Sequence, residues 1–274
     1  MAFRRGNRIE LKTPQQFLAM RQAGLVVAHT LEHVRQVAAA GMTTADIDGI
    51  ARARLRDAGA TSSFLGYHGY PATICVSVNE EVVHGIPGRR PLHDGDLVSV
   101  DFGAIIDGWH ADAAISFGIG TLDDTSRRLV DVTERALWAG LAKAIVGNRL
   151  SDISHAVETC VRADGAWHVI EDYVGHGIGS AMHMEPPVPN YGAPGKGPEL
   201  RVGMALAIEP MVTVGTIDTR VLEDDWTVVT EDDSRAAHWE HTVCITPEGP
   251  WVTTAIDGGV ARLAALGVTV PTRD

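Results

Sequence analysis

The chain has 274 residues and carries 35 acidic against 23 basic side chains, a formal net charge of -12. That balance argues against a nucleic-acid binder, whose footprint is basic. A composition of 45% apolar and 21% charged residues supports a sizeable core without disulfides or other staples. Cys75, Cys160 and Cys244 are widely spaced, odd in number and form no CxxC pair, as expected in a reducing compartment.

Residues 1–12 read as an N-terminal arm with a short strand at best. Its cluster of Arg4, Arg5 and Arg8 is followed by no apolar stretch, so no signal peptide is expected. No uninterrupted apolar run reaches the roughly 18 residues of a membrane span, and a cytoplasmic location follows as the expectation. Thr13-Pro14-Gln15-Gln16 is a capping box with proline at the first helical position. The helix it opens carries an apolar stripe through Phe17, Met20, Leu25, Ala28, Leu31 and Val34, and Gly41 closes it. A second helix is predicted from Thr43 to just before Gly59.

The stretch 95–118, GDLVSVDFGAIIDGWHADAAISFG, reads as two strands joined at Asp107-Gly108. Asp101 and Asp112 interrupt these otherwise apolar strands. A two-residue turn sets Asp101 opposite Ala114, with Asp112 its diagonal neighbour; a four-residue loop sets the two acids directly opposite. Either register puts both on one face, where a buried charge must be paired or bind a metal.

A second helix pair follows, one member over about 124–146 and ending at Gly147, the other from Ser151 to Asp164. Sliding the chain by 106 positions superposes Gly41 on Gly147, Asp46 on Asp152, Ile47 on Ile153, Arg56 on Arg162, Gly59 on Gly165 and Ala60 on Ala166. An offset of 108 superposes Gly95 on Gly203 and Asp101 on Glu209. We read a duplicated helix–helix–strand unit, spanning about 13–120 and 121–255 within one domain over 13–274. A pseudo-twofold arrangement of the two units would let acids from both halves converge. The fold class is α+β, with a largely antiparallel sheet and helices packed on one face.

The second half offers further donors. His176 and His183 lie in YVGHGIGSAMHMEPP, whose glycines argue against an ordinary core strand. Glu209 ends an apolar strand in GMALAIEPM, and Glu240 is expected within a strand in AHWEHTVCIT. Asp101, Asp112, His176, Glu209 and Glu240 together make a donor set for hard or borderline divalent cations. Four carboxylates would overcharge one ion, so two ions are the better reading.

GYHGYPATICVSVNEEVVHGIP, SVDFGAIIDGWHADAA, GHGIGSAMHMEP, IEPM and EHT, in this order, resemble the type I methionine aminopeptidases of the pita-bread fold. The resemblance runs from about residue 10 to 255. It implies a pseudo-twofold antiparallel sheet covered by two helix pairs. It also implies an exopeptidase that removes an N-terminal methionine preceding a small residue, through a water activated by two divalent ions (Co, Mn, Fe, Zn or Ni).

By the same resemblance, Asp101, Asp112 and Glu240 hold one ion, while Asp112, His176, Glu209 and Glu240 hold the other. Glu209 is the proton acceptor, and His84 and His183 contact the substrate. Phe64, Tyr67, Tyr70, Cys75, Met182 and Trp226 form the side-chain pocket; Phe64 stands where the family often has cysteine, and Met182 where it often has an aromatic. The implied partners are nascent polypeptide N-termini, with the ribosome a candidate contact of the basic arm. No membrane or sequence-specific nucleic acid is implied, and a monomer is expected. The nearest alternative is an X-Pro-cleaving hydrolase of the same fold, and a more distant one is a non-catalytic binding protein on it.

Overall fold

The computed structural model describes residues 9–270, so the arginine cluster of the arm lies outside the described residues. Helix α1 spans Pro14–Val37, with the Thr13 hydroxyl accepting from Gln16 N–H and the Gln16 side chain accepting from Thr13 N–H. It stops short of the predicted Gly41. Ala38 turns extended so that Gly41 N–H can donate to Leu92 O, 2.8 Å away. Helix α2 spans Thr44–Ala58 and ends on Gly59, whose positive φ of 64° closes it.

Helix α3 covers Asp124–Leu141, ending earlier than the predicted 146, because residues 142–149 coil through turns to reach α4, Leu150–Ala163. A short helix α5, Val260–Ala265, lies near the end of the described chain. No helix among the described residues is long and apolar enough to cross a membrane.

Local bonds recur between the halves at the offsets seen in the sequence. Asp46 accepts from Thr43 N–H at 2.7 Å, and Asp152 from Arg149 N–H at 2.7 Å. Gly41 N–H bonds Leu92 O as Gly147 N–H bonds Leu200 O, and Thr43 bridges Pro91 as Arg149 bridges Glu199. The shared glycines and aspartates thus tie each second helix to the segment leading into its own strands.

The strands Leu97–Ile106 and Trp109–Gly118 pair antiparallel around Asp107-Gly108, both residues at positive φ, so the two-residue turn is the one adopted. Val98, Val100 and Phe102 on the first strand, with Ala113, Ile115 and Phe117 on the second, bury against Val27, Leu31, Ile47 and Ala51 of α1 and α2. In the other half, Leu206, Ile208, Val243 and Ile245 bury against Leu129, Leu137, Ile153 and Val157 of α3 and α4. Trp239 packs against both clusters and joins the halves. Because strand residues alternate in direction, each set of apolar residues facing the helices leaves its neighbours, Asp101 and Asp112 among them, on the opposite face.

Candidate metal centre and substrate cavity

Asp101 pairs with Ala114 and Asp112 with Gly103, which makes the two acids same-face diagonal neighbours. His176 sits on the short strand Gly175–Gly177, paired between Ala205–Ile208 and Met184–Val188. The expectation that these glycines argue against a core strand is corrected here. A Cβ on Gly175 would lie 2.4 Å from Ala207 O, and one on Gly177 2.2 Å from Glu185 O. The glycines permit unusually close strand approach rather than preventing a strand.

Glu209 follows the strand Ala205–Ile208 directly. Glu240 is not inside a strand but at the junction between Ala236–His238 and His241–Thr246. Its backbone is nevertheless held from both sides: Glu240 N–H donates to Ala114 O at 2.9 Å, and Ala114 N–H to Glu240 O at 3.2 Å. Thr242 adds a second clasp, its hydroxyl accepting from Asp112 N–H and donating to Asp112 O. The segment bearing Glu240 is therefore bonded onto the hairpin of the first half.

All five donors line one cavity, with about 100 Å³ of solvent-accessible space. Single ligand atoms of Asp112, His176 and Glu240 lie within 4.8 Å of one another, close enough to share an ion. Glu209 Oε1 lies 3.5 Å from His176 Nε2. The ring of His176 is oriented by its Nδ1–H, which donates to Gly177 O at 2.9 Å and leaves the Nε2 lone pair free for a cation.

The fit to divalent cations rests on the charge balance within this cavity. Asp101 Oδ1, Asp112 Oδ1 and Glu240 Oε1 are buried without a hydrogen-bond partner, and among the described residues no lysine or arginine lines the space. Burial, then the Asp112 charge, holds Asp101 well above the usual carboxylate range; burial does the same for Glu209 and Glu240 and lifts Asp112 to about 7. Such a cluster must hold protons or cations.

The same cavity is lined by Phe64, Tyr67, Tyr70, Cys75, Met182 and Trp226 and by His84 and His183, with Cys75 paired directly across from Asp101. Phe64, Tyr70, Cys75 and Met182 form one buried apolar cluster, against which Tyr67 and Trp226 pack half-buried. Tyr70 meets Phe64 and Trp226 edge-on. His183 is bonded through Nδ1 to the Tyr67 hydroxyl at 2.7 Å, and burial lowers its pKa. His84, at φ 62°, is set edge-on to Trp226, and burial, with the charge of His183 next, brings it down to about 4. Cavity residues from both halves, predicted one motif at a time, thus share one space.

Residues 19–247 match the model of metallopeptidase family M24. Methionine aminopeptidase 1 of Mycobacterium tuberculosis is 54% identical over 242 residues, covering 86% of this chain and 91% of the relative.

The chain belongs to metallopeptidase family M24, in its methionine aminopeptidase branch.

The crystal structure of a methionine aminopeptidase from Thermotoga maritima superposes on this M24 chain with a TM-score of 0.89 at 43% identity, covering 90% of this chain and all of that one. A prolidase from Pyrococcus furiosus, at 17% identity and a TM-score of 0.71 over 89% of this chain and 65% of its own, shares the fold alone.

One residue of this M24 site went unnoticed in the sequence. His238 is 2% exposed, its Nε2 buried without a hydrogen-bond partner and 3.8 Å from Glu209 Oε2. The signal was there: in AHWEH, His238 and Glu240 are two residues apart, the spacing that sends extended-chain side chains to one face.

Proposed function

We propose that this protein is a cytoplasmic methionine aminopeptidase that removes the initiator methionine from nascent chains whose second residue is small. The observation that carries the reading is a single cavity lined by four acids and an imidazole together with aromatic and sulfur-bearing side chains. A relative 54% identical over most of the chain carries the same name for its activity. The X-Pro enzymes compared, such as the prolidase from Pyrococcus furiosus at 17% identity, share the fold alone.

In this reading Asp101, Asp112 and Glu240 hold one divalent ion, and Asp112, His176, Glu209 and Glu240 the other. The oxygen-rich donor set with one imidazole accepts Co, Mn, Fe, Zn or Ni. Bound there, two divalent cations supply Lewis acidity and bring the proton of a water into the neutral pH range.

The chain's own groups then divide the remaining work. Glu209 accepts the water proton on its carboxylate and passes it to the nitrogen of the departing amine. Tyr67 O–H donates to His183 Nδ1, which leaves His183 Nε2–H to donate to the scissile carbonyl oxygen as negative charge develops there. His84 orients the substrate backbone. Phe64, Tyr70, Cys75, Met182 and Trp226 receive the thioether, whose polarisable sulfur suits aromatic edges. The acids attract the free α-amine, which makes the enzyme an exopeptidase.

We extend the reading to a monomer in which residues 13–274 form one catalytic domain, with 13–120 and 121–255 as its two repeats. The arm 1–12 would contact the ribosome through Arg4, Arg5 and Arg8. Hydrolysis of Met-Ala-Ser, N-acetyl-Met-Ala-Ser and Ala-Pro-Ser by chelated and cobalt- or manganese-restored enzyme tests the function. Metal-dependent release of methionine from the free peptide alone, lost in Glu209→Gln, is expected. Release of alanine from Ala-Pro-Ser alone would move the activity to the X-Pro class.

A further inference from the structure

Glu209 is flanked by two imidazoles, one at each carboxylate oxygen. His176 Nε2 lies 3.5 Å from Oε1, and His238 Nε2 lies 3.8 Å from Oε2. His176 is accounted for by the donor set; His238 is not. His238 ends the strand Ala236–His238, opposite Met211, two residues beyond Glu209 in the facing strand. Its backbone is fixed at both polar groups. The N–H donates to Ser116 Oγ at 2.9 Å and to Ser99 Oγ at 3.3 Å, and the carbonyl accepts from Ser116 Oγ–H at 2.7 Å.

Those two serines stand on the strands that carry Asp101 and Asp112. His238 is therefore clamped to the first half of the molecule while its ring reaches a carboxylate of the second. A polar ring atom that is fully buried and unpartnered is costly to keep unless a working state supplies its partner. The Glu209 oxygen is the acceptor at hand. Catalytic hydrogen bonds are often long before substrate is bound and tighten on the reaction path.

We propose that His238 is a positioning residue for Glu209. Its Nε2–H donates to Glu209 Oε2 and fixes the rotation of the carboxylate, so that Oε1 is kept beside His176 and directed at the hydrolytic centre. His238 touches neither substrate nor water; it acts through Glu209. The proposal rests on the role given to Glu209 above.

Three variants separate positioning from packing. His238→Leu keeps about the same bulk without a donor, and His238→Gln keeps a donor at similar reach. His238→Asn, polar but too short, serves if the leucine variant does not fold. Two readouts are taken: steady-state cleavage of Met-Ala-Ser, and calorimetric titration of chelated protein with cobalt.

The leucine and asparagine variants are expected to lose about tenfold in kcat with KM little changed, as is common when a group that orients a metal ligand is removed. Cobalt binding in those variants is expected to weaken at one of its steps, and glutamine to restore both. Equal losses in glutamine and leucine, or full kcat and cobalt affinity in leucine, would overturn it. The calorimetric arm is independent of the peptidase reading: if wild type cleaves no peptide yet the cobalt pattern follows the donor, the function fails and the positioning stands.

Discussion

The Tyr67 hydroxyl lies 2.7 Å from Nδ1 of His183, joining a turn of the first half to the β-loop of the second. Burial, then the charge of His68, lowers the His183 pKa, which favours the neutral ring with a proton on one nitrogen only. With Tyr67 O–H as the donor, the proton of the ring sits on Nε2, the tautomer that can serve a carbonyl oxygen.

Tyr67→Phe keeps the ring that packs on His183, at 5.2 Å between centroids, and removes only the bond. A fall in kcat/KM of about threefold to tenfold is expected, the net worth of one hydrogen bond. Steady-state kinetics on Met-Ala-Ser checks this. An unchanged kcat/KM would mean that the tautomer is set by something other than Tyr67.

Removing the cations should make stability depend on pH in an unusual direction. Asp112 rises from 3.8 to about 7 through burial, and burial likewise raises Asp101, Glu209 and Glu240. A carboxyl whose pKa is higher folded than unfolded binds more protons in the folded state, so its contribution is full at acid pH and is lost as pH rises through the folded value. For Asp112 that window runs from 3.8 to about 7. Chelated protein is expected to lose melting temperature between pH 5 and about 7.5 relative to cation-loaded protein, since metal displaces the same protons. Parallel melting curves across that range would show that the four acids do not titrate as a buried group.

Much of this site was legible because its acids break a rule. Asp101 and Asp112 are charged residues on apolar strands, and the Asp107-Gly108 turn fixed their shared face without any knowledge of the rest. The matches of Gly41 with Gly147 and Asp46 with Asp152 were legible because these residues satisfy local bonds that recur where a helix is tied to the same kind of segment. His84 carried no such mark: its role depends on Trp226 and Tyr173, which are distant in sequence. Glu240 was misplaced within a strand since its pairing with Ala114 crosses between halves, and no local pattern encodes that. The early ends of α1 and α3 are likewise tertiary. Alanine favours continuing both helices at 38 and 142, but the chain must turn away to bond Leu92 in one case and to start α4 in the other.

The loop bearing Met182 and His183 is anchored from the N-terminal side. Ser180 donates to Glu10 twice, from Oγ at 2.5 Å and from N–H at 3.3 Å, and Glu10 in turn lies 3.5 Å from the buried Lys12 ammonium. Burial lowers the Lys12 pKa, with Glu10 opposing that shift. Glu10→Ala would release the loop and leave Lys12 without its carboxylate. Because Glu10 is about a third exposed, the stability loss is expected near 1–2 kcal/mol rather than the full cost of breaking a buried pair. KM for Met-Ala-Ser should rise more than kcat falls. Denaturant unfolding and kinetics together check it, and Glu10→Gln, which still accepts from Ser180, should keep most of the substrate affinity.

Gly177 offers the sharpest contrast between a glycine required by close approach and one that is not. A Cβ there would stand 2.2 Å from Glu185 O and 2.7 Å from its carbonyl carbon, both backbone atoms that no side-chain rotation can move aside. Gly177→Ala must therefore push apart the strands Gly175–Gly177 and Met184–Val188, and with them the carbonyl that orients His176 Nδ1. Loss of about 10-fold or more in cation affinity is expected, as for other disruptions of a ligand's supporting bond, with a lower melting temperature. Gly49 is the control, since it lies exposed in α2 with nothing within 4 Å of an added Cβ. Gly49→Ala should stabilise the chain by up to about 1 kcal/mol through helix propensity and leave cation binding unchanged. Calorimetric cobalt titrations of the two variants read the difference, and intact affinity in Gly177→Ala would show that His176 is oriented without this strand contact.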